Sequence, residues 1–98
     1  MVRFVTMWNW TEQGVSKLGD TVERTESFSK AAEKLGAKVK DFLWLTGEFD
    51  GMCIVEAPDD ATAVAVIAQV SKAGNIRTRT YRSFDAAEMR QVLKKTGQ

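Results

Sequence analysis

Three segments of the chain would be apolar on both faces if they formed β-strands, and this feature constrains the fold more than any other. Successive side chains of a strand point to opposite faces of the sheet. The alternating sets are Phe4, Thr6 and Trp8 against Val5 and Met7, Phe42 and Trp44 against Val39, Leu43 and Leu45, and Met52 and Ile54 against Cys53, Val55 and Ala57. A sheet of such strands needs cover on both faces, since large exposed apolar patches are uncommon on monomers.

The order of the predicted elements indicates how one face is covered. Strand propensity, helix caps and glycine stops divide the chain into strands and helices. In order they are a strand over 2–8, a helix from the cap Thr11 to Gly36 with a break near Gly19 and Asp20, strands over 38–46 and 52–57, a helix from the cap Asp59 or Asp60 to Gly74, a strand over 76–84 and a short helix after a capping box of Asp85 and Glu88. This is the split βαβ, ferredoxin-like plan of an α+β fold.

Apolar residues at helical spacing predict which side of each long helix packs on the sheet. They are Val15, Leu18, Val22, Phe28, Ala32 and Leu35 in the first helix, and Ala63, Val64, Ile67 and Val70 in the second. Right-handed crossovers place the first and third strands in the centre of the sheet and the second and fourth at its edges. Two helices cover only one face of this sheet. We therefore expect a second copy of the chain on the other face, in a homodimer or a higher oligomer.

The composition excludes several kinds of catalytic and metal site and several kinds of binding partner. The 98 residues predict a single domain over 1–98, with a formal net charge of +1 that creates no general attraction for nucleic acid or acidic membranes. One cysteine and no histidine exclude an intrachain disulfide, a Cys/His zinc site and a histidine-dependent triad. The longest uncharged stretch, 61–71, is too short to span a bilayer, and the N-terminus lacks a signal-peptide pattern. We expect a cytoplasmic protein with no cofactor or metal and no nucleic-acid or membrane partner.

The fourth predicted strand carries a candidate ligand site. Arg77, Arg79 and Tyr81 share one face of this strand by the two-residue repeat. Two guanidinium groups so placed can hold a carboxylate or phosphate in a bidentate manner. The structural alternative is that both arginines pair with acidic residues on an edge strand and discourage aggregation there.

Five ordered motifs make the chain similar to the GYD domain family. They are WTEQG at 10–14, AEKLG at 32–36, GEFD at 47–50, VEAPDD at 55–60 and GNIRT at 74–78. The resemblance covers about Val2 to Glu88 and implies a dimeric α/β barrel, in which two ferredoxin-like sheets pack face to face, but it implies no established activity. Phe49 replaces the tyrosine of the Gly-x-Tyr-Asp turn for which the family is named, so no role of a phenolic hydroxyl carries over.

An aromatic group near the end of the first strand is the second candidate site. Trp8, Asn9 and Trp10, together with Trp44, would line a pocket in which Asn9 orients a carbonyl or a bound oxygen species. Cofactor-independent monooxygenases of the dimeric α/β barrel superfamily use comparable groups, which is an analogy at the level of the fold. The structural alternative makes the tryptophans core or interface anchors and Asn9 a turn residue.

Other chemistry-bearing residues have simpler interpretations. We expect Cys53 to be an inert core residue, because no histidine is present to activate it. Asp59 and Asp60 precede a helix and are expected to cap it, while Asp50 is expected to stabilise its own turn.

Two functions remain open from the sequence. The first is a homodimer that binds a small anionic or aromatic metabolite at the sheet, with Arg77, Arg79, Tyr81, Trp8, Asn9 and Trp44 as the ligand-binding residues. The alternative is a cofactor-independent monooxygenase acting on an aromatic or quinol substrate. A pure assembly module is a third possibility, if dimers associate further through their edge strands.

Overall fold

The backbone follows the predicted order of elements in a computed structural model that describes residues 1–97. The elements are β1 (Val2–Trp10), α1 (Glu12–Ser16), a 3-10 turn (Leu18–Asp20), α2 (Thr21–Lys34), β2 (Lys38–Trp44), β3 (Gly51–Ala57), α3 (Asp60–Lys72), β4 (Ile76–Ser83) and α4 (Ala86–Lys95). The predicted break near residues 19 and 20 is confirmed as the turn that separates α1 from α2. β1 is two residues longer than predicted, because Trp10 still pairs with Ile76 of β4.

The four strands form one antiparallel sheet in the order β2-β3-β1-β4. The predicted central position of the first and third strands is therefore confirmed, as is the ferredoxin-like fold. β1 and β3 pair from Val2 with Ala57 at one end to Trp8 with Gly51 at the other. These two ends of the sheet differ in the size of their side chains, and this difference positions the sites described below.

A bulge in β2 reverses the predicted alternation of that strand. The register between β2 and β3 shifts between Lys40 and Leu43, and Asp41 has a φ of 49°. An extra residue of this kind moves every later side chain to the opposite face. Val39 and Phe42 consequently both pack against the core, whereas Leu43 lies on the other face. The prediction that Val39 and Leu43 share a face was wrong.

The core lies between the sheet and the helices at the Ala57 end and is built from small side chains. Its buried members are Ala32, Ala37, Cys53, Val55, Ala57, Ala63, Val66 and Ile67. Alanines on α2 and α3 allow both helices to approach the sheet closely at this end. Here too the predicted helix faces need correction, since Val64 is 56% exposed and Val66 is buried in its place.

The inward face of α2 is more polar than predicted. Thr21, Thr25, Phe28 and Ala32 follow one another at spacings of four, three and four residues and form the least exposed side of the helix. Four residues predicted to pack inward are instead exposed, namely Val15, Leu18, Val22 and Leu35. The turn at Leu18–Asp20 interrupts the helix, so the periodicity read across it does not describe one continuous face.

The predicted helix caps are present. The Asp59 Oδ1 accepts a hydrogen bond from the Thr62 backbone N–H at 2.7 Å, which identifies Asp59 as the cap of α3. Asp85 and Glu88 form the reciprocal capping box of α4. The apolar residues of α4, Met89, Val92 and Leu93, remain exposed. Among residues 1–97, no helix has both the length and the apolar character needed to cross a bilayer.

Arg3 connects the sheet to the start of α4. Its Nε lies 3.0 Å from the Glu56 carboxylate, and its Nη1 lies 3.0 Å from Asp85 and 3.4 Å from Glu88. The pKa of the Asp85 carboxyl is lowered from its usual 3.8, first by the hydrogen bond from the Glu88 backbone N–H and then by the Arg3 guanidinium. This cluster fixes the direction in which the chain leaves the sheet.

We predict that Gly51→Ala destabilises the fold by about 1–3 kcal/mol, the usual cost of overpacking a core. A Cβ at position 51 would lie 1.9 Å from Cζ2 of the buried Trp8 ring. The control is Gly19→Ala, because a Cβ at position 19 meets no atom within 4 Å. Urea unfolding of both variants measures the difference. Equal midpoints for Gly51→Ala and the wild type would show that the ring does not lie over this glycine.

We predict that the Asp85→Asn variant melts below the wild type at pH 7 and that the gap closes in acid. A carboxyl whose pKa is lowered on folding stabilises the folded state above its unfolded pKa, and loses this effect as the pH falls through the folded value. The gap should therefore begin to shrink near pH 3.8 and continue to shrink at lower pH. Thermal unfolding from pH 7 to pH 2 tests this. Asp20→Asn, at an exposed aspartate without a side-chain cap bond, is the control. A gap that is constant with pH would refute the role of the Asp85 charge.

Candidate functional site

The structure divides the six predicted site residues between the two faces of the sheet. α2 and α3 cover one face, and within residues 1–97 no helix packs on the opposite one, which we call the open face. By the pairing register, four of the six lie on the open face, namely Asn9, Arg77, Arg79 and Tyr81. The other two, Trp8 and Trp44, lie on the helix-covered face. The arginine row and the tryptophans consequently lie on opposite faces of the sheet and do not form one site.

The centre of the open face is apolar. Its side chains come from the three strands that the sequence marked as apolar on both sides, and they are Val5, Met7, Leu43, Met52 and Ile54. Leu43 is 53% exposed, and the four residues of the central strands are half-buried by their neighbours in the sheet. The bulge in β2 contributes to this surface, because it turns Leu43 toward Met52.

The arginines of the sheet fall into two groups. Arg3 is paired with three carboxylates, and Arg82 lies 3.7 Å from Asp60 and 3.4 Å from Glu88. Arg77 and Arg79, in contrast, have no carboxylate within 4 Å among residues 1–97, and both are exposed. Tyr81 follows them on the same face of β4 and is 53% exposed. The ion pairs expected by the structural alternative do not form within this part of the chain.

Asn9 is held by the connection between β2 and β3. Its Nδ2 donates to the Glu48 carbonyl oxygen at 3.0 Å and to the Asp50 Oδ2 at 3.3 Å. The same Asp50 oxygen accepts from the Trp10 backbone N–H at 3.0 Å, so the Asp50 carboxylate binds β1, whereas the sequence had predicted that Asp50 stabilises its own turn. The Asn9 amide thus acts as a structural link at this position, and it lies on the opposite face from the Trp8 ring.

A cavity of about 540 Å³ lies between α2, α3 and the Trp8 end of the helix-covered face. The cavity forms here because bulky aromatic side chains replace the small residues that draw the helices together at the other end. Its volume is within the range of small-molecule pockets. The lining is Trp8, Trp10, Thr21, Glu23, Arg24, Thr25, Ser27, Phe28, Ala31, Phe42, Gln69, Val70, Lys72, Ala73, Asn75 and Ile76.

A chain of aromatic contacts forms one wall of this cavity. The Trp8 ring centroid lies 5.5 Å from that of Trp10 and 5.6 Å from that of Phe42, and Phe42 in turn contacts Phe28 at 6.5 Å. Trp44 continues the chain at 5.3 Å from Phe42 but does not line the cavity. Edge-to-face and tilted arrangements at these separations stabilise aromatic pairs.

The three tryptophans differ in their indole N–H groups. The Trp44 Nε1 donates to the Thr21 hydroxyl at 3.1 Å. The Nε1 atoms of Trp8 and Trp10 are buried and have no acceptor among residues 1–97. A buried donor without a partner costs about 1–3 kcal/mol, so such groups are rare in native folds. The two unpartnered donors are the two indoles that line the cavity.

Sequence reasoning identified the tryptophans but missed Phe28, Phe42 and the threonines of α2 as parts of the same cavity. The spacing of Thr21, Thr25 and Phe28 was a usable signal, since it places all three on one side of a helix that begins at residue 21. Phe42 was not predictable in this role, because its direction depends on the bulge at Asp41.

Cys53 is confirmed as a buried residue of the core. Burial raises the pKa of its thiol to about 12, so the thiolate needed for nucleophilic chemistry does not form near neutral pH. Residues 1–97 also contain no cluster of three or more acidic or cysteine side chains arranged to hold a metal ion.

Known proteins include a relative that matches almost the whole chain. One relative is 25% identical over 95 residues, which are 96% of this chain and all of the relative; it is a glutamine synthetase and cystathionine beta-lyase binding protein of Thermus thermophilus. No solved structure matches the chain. The family model of the GYD domain matches residues 4–93. Because this match spans most of the chain, the chain belongs to the GYD domain family.

Proposed function

We propose that the protein is a homodimeric binding module that takes a small anionic molecule at Arg77, Arg79 and Tyr81. The observation that carries this proposal is the contrast among the sheet arginines: Arg3 and Arg82 have carboxylate partners within residues 1–97, and Arg77 and Arg79 do not. The homodimer brings a second copy over this face, so the anion is held at the edge of the covered surface.

The apolar centre of the open face supports the pairing of two copies. A symmetric, face-to-face arrangement of two sheets would bury the side chains of Val5, Met7 and Ile54 against their equivalents. At about 25 cal/mol per Å², burying about 800 Å² on each copy contributes about 40 kcal/mol before costs. The cost of association is about 4–15 kcal/mol, which is smaller than this gross contribution. The dimeric α/β barrel has this architecture.

The arginine row supports the choice of an anionic ligand. Residues two apart on a strand have side chains about 7 Å apart on one face, which is a suitable separation for two guanidinium groups that contact one carboxylate or phosphate. Without an anion, two neighbouring positive charges repel one another. The ring of Tyr81 lies next in the row and provides a flat contact for the body of the ligand.

A second candidate function is the binding of other proteins. The relative from Thermus thermophilus is named for two protein partners, and the open face of this chain has the apolar centre and polar rim of a protein interface. In this case the partner, and not a second copy, would cover Val5 and Met7. The oligomeric state in solution distinguishes the two candidates.

The monooxygenase alternative has less support. It requires the Asn9 amide beside the tryptophan pocket, whereas Asn9 donates to Glu48 and Asp50 on the other face of the sheet. We therefore favour a binding role over an oxygenase.

We predict that the protein sediments at micromolar concentration with about twice the chain mass of 10.9 kDa, and that Met7→Lys sediments as a monomer. A lysine at position 7 would place a charge in the apolar centre of the interface. Val64→Lys is the matched control, because Val64 is exposed on α3 away from this face. A monomeric wild type would exclude the homodimer. A monomer that forms a heavier complex with glutamine synthetase would favour the second candidate.

We predict that Arg77→Gln/Arg79→Gln weakens anion binding by tenfold or more, in line with about 1.5–3 kcal/mol for a hydrogen bond to a charged group. The probes are phosphate, citrate and benzoate, and the measurement is the shift that each causes in the melting temperature. Arg90→Gln on the exposed surface of α4 is the control and should respond as the wild type does. If no probe shifts the wild type, or if the double variant shifts equally, the anion site is absent.

A further inference from the structure

We infer that the outer edge of β4 binds an extended acidic peptide segment of a protein partner, which pairs with β4 as a fifth strand and places one carboxylate on each of Arg77 and Arg79. The inference rests on the proposed anion site, because the same two arginines take part, and it names the class of molecule that carries the anions. Three features of β4 support it: a free and regular edge, the direction of its backbone groups, and the charges beside them.

β4 is a regular strand at the edge of the sheet. It is the last strand in the order β2-β3-β1-β4, and its eight residues from Ile76 to Ser83 pair with β1 in one continuous register. β2, at the other edge, has a shift of register between Lys40 and Leu43. Bulges and prolines hinder the addition of a strand to an edge, and β4 contains neither. Its outer side is therefore a suitable template for a further strand.

The even-numbered residues of β4 direct their backbone groups to this outer side. The Thr11 N–H donates to the Asn75 carbonyl oxygen at 3.1 Å, so these two residues form a hydrogen-bonded pair next to the β1–β4 ladder. Hydrogen-bonded and non-hydrogen-bonded pairs alternate along antiparallel strands. The odd-numbered residues of β4 consequently bond to β1. The N–H and C=O groups of Thr78 and Thr80 point away from β1 and are available to a fifth strand.

The arginines lie where a fifth, antiparallel strand would bring side chains closest together. Thr78 and Thr80 would form the hydrogen-bonded pairs with that strand, so Arg77 and Arg79 would form the non-hydrogen-bonded pairs. Opposite residues of such pairs have Cα atoms only about 4.5 Å apart, and opposite charges across strands stabilise the pairing. A strand with acidic residues at two alternate positions would thus place one carboxylate opposite each guanidinium group. Addition at the edge leaves the apolar centre of the open face free for a second copy.

The charges at both edges of the sheet favour an acidic segment over a second copy as the fifth strand. β4 of a second copy would bring its own arginines near Arg77 and Arg79. β2 of a second copy would bring Lys38 and Lys40, which lie on the open face because they pair with Glu56 and Ile54. Like charges opposite one another destabilise strand pairing. An acidic segment instead supplies the carboxylates that both arginines of β4 lack among residues 1–97.

Four peptides of the same length test the inference. The first, the parent, is acetyl-Thr-Leu-Val-Glu-Val-Glu-Thr-amide, whose glutamates would lie opposite Arg79 and Arg77 and whose leucine would lie opposite Tyr81. The second has glutamine in place of both glutamates. The third is N-methylated at both valines, which would lie opposite Thr80 and Thr78. The fourth is N-methylated at both glutamates, whose N–H groups would face away from β4.

We expect the parent to bind about tenfold or more tightly than the glutamine peptide, because two charge-assisted hydrogen bonds are lost in the latter. N-methylation of the valines removes two donors to β4 and should weaken binding by about tenfold. N-methylation of the glutamates should leave the affinity unchanged. Titration calorimetry measures these affinities. In the complex with the parent, the amide protons of Thr78 and Thr80 should exchange with solvent more slowly than in the free protein.

A matched pair of variants assigns the charge preference to the arginine row. Arg77→Gln/Arg79→Gln removes both guanidinium groups, so this variant should bind the glutamate and glutamine peptides equally. Arg90→Gln removes an exposed arginine of α4 and should preserve the preference for glutamate. A dispersed amide spectrum confirms that each variant is folded.

Three results would overturn the inference: equal affinity for the parent and the valine-methylated peptide, equal affinity for the parent and the glutamine peptide, or unchanged exchange of the Thr78 and Thr80 amides. If the parent does not bind but citrate or phosphate still raises the melting temperature through Arg77 and Arg79, the strand is refuted and the anion site stands. If neither the peptide nor a small anion binds, both proposals fail.

Discussion

The fold depends on a central pair of strands that are apolar on both faces. β1 pairs with β3 from Val2 to Trp8, which is the whole length of β3, and each strand needs cover above and below the sheet. The helices supply this cover on one side through small residues such as Ala32 and Ala63. On the other side, residues 1–97 supply none, which leaves Val5, Met7 and Ile54 as a continuous apolar surface. The proposed homodimer follows from this imbalance.

The two ends of the helix-covered face have different packing and different consequences. At the Ala57 end, small side chains bring helices and sheet together in a tight core. At the other end, Trp8 occupies the space over Gly51, where a Cβ would collide with the indole ring. The helices cannot approach closely over these large rings, and the cavity lies between them. The same bulky residues therefore leave a cavity with an aromatic wall at this end.

The sequence predicted the order of elements, the strand order and the caps, because each follows from a local signal. Thr11, Asp59 and Asp85 have the side chains that cap helices, and in the structure all three do. The bulge at Asp41 has no comparable signal, since its left-handed backbone is found in a residue other than glycine. The direction of Phe42 and Leu43 depends on this one residue, and strict alternation therefore assigned them incorrectly.

The candidate sites, too, could be predicted only in part from the sequence. The arginine row was predictable, because Arg77 and Arg79 are two residues apart on a regular strand. The separation of Asn9 from the tryptophans also follows from alternation, although proximity in sequence had suggested one shared pocket. The hydrogen bonding of the indole N–H groups was not predictable, since it depends on where acceptors lie in the folded chain: the Thr21 hydroxyl accepts from the Trp44 Nε1, and the Nε1 atoms of Trp8 and Trp10 have no acceptor among residues 1–97.

The central claim, that a second copy covers the open face, is tested most directly by the rate at which methionines are oxidised by peroxide at different protein concentrations. Met7 and Met52 lie on this face, and Met89 on α4 provides an internal reference. The account predicts that oxidation of Met7 and Met52 slows relative to Met89 as the protein concentration rises through the dimerisation range. Relative rates that do not change with concentration, at values typical of accessible methionines, would contradict it.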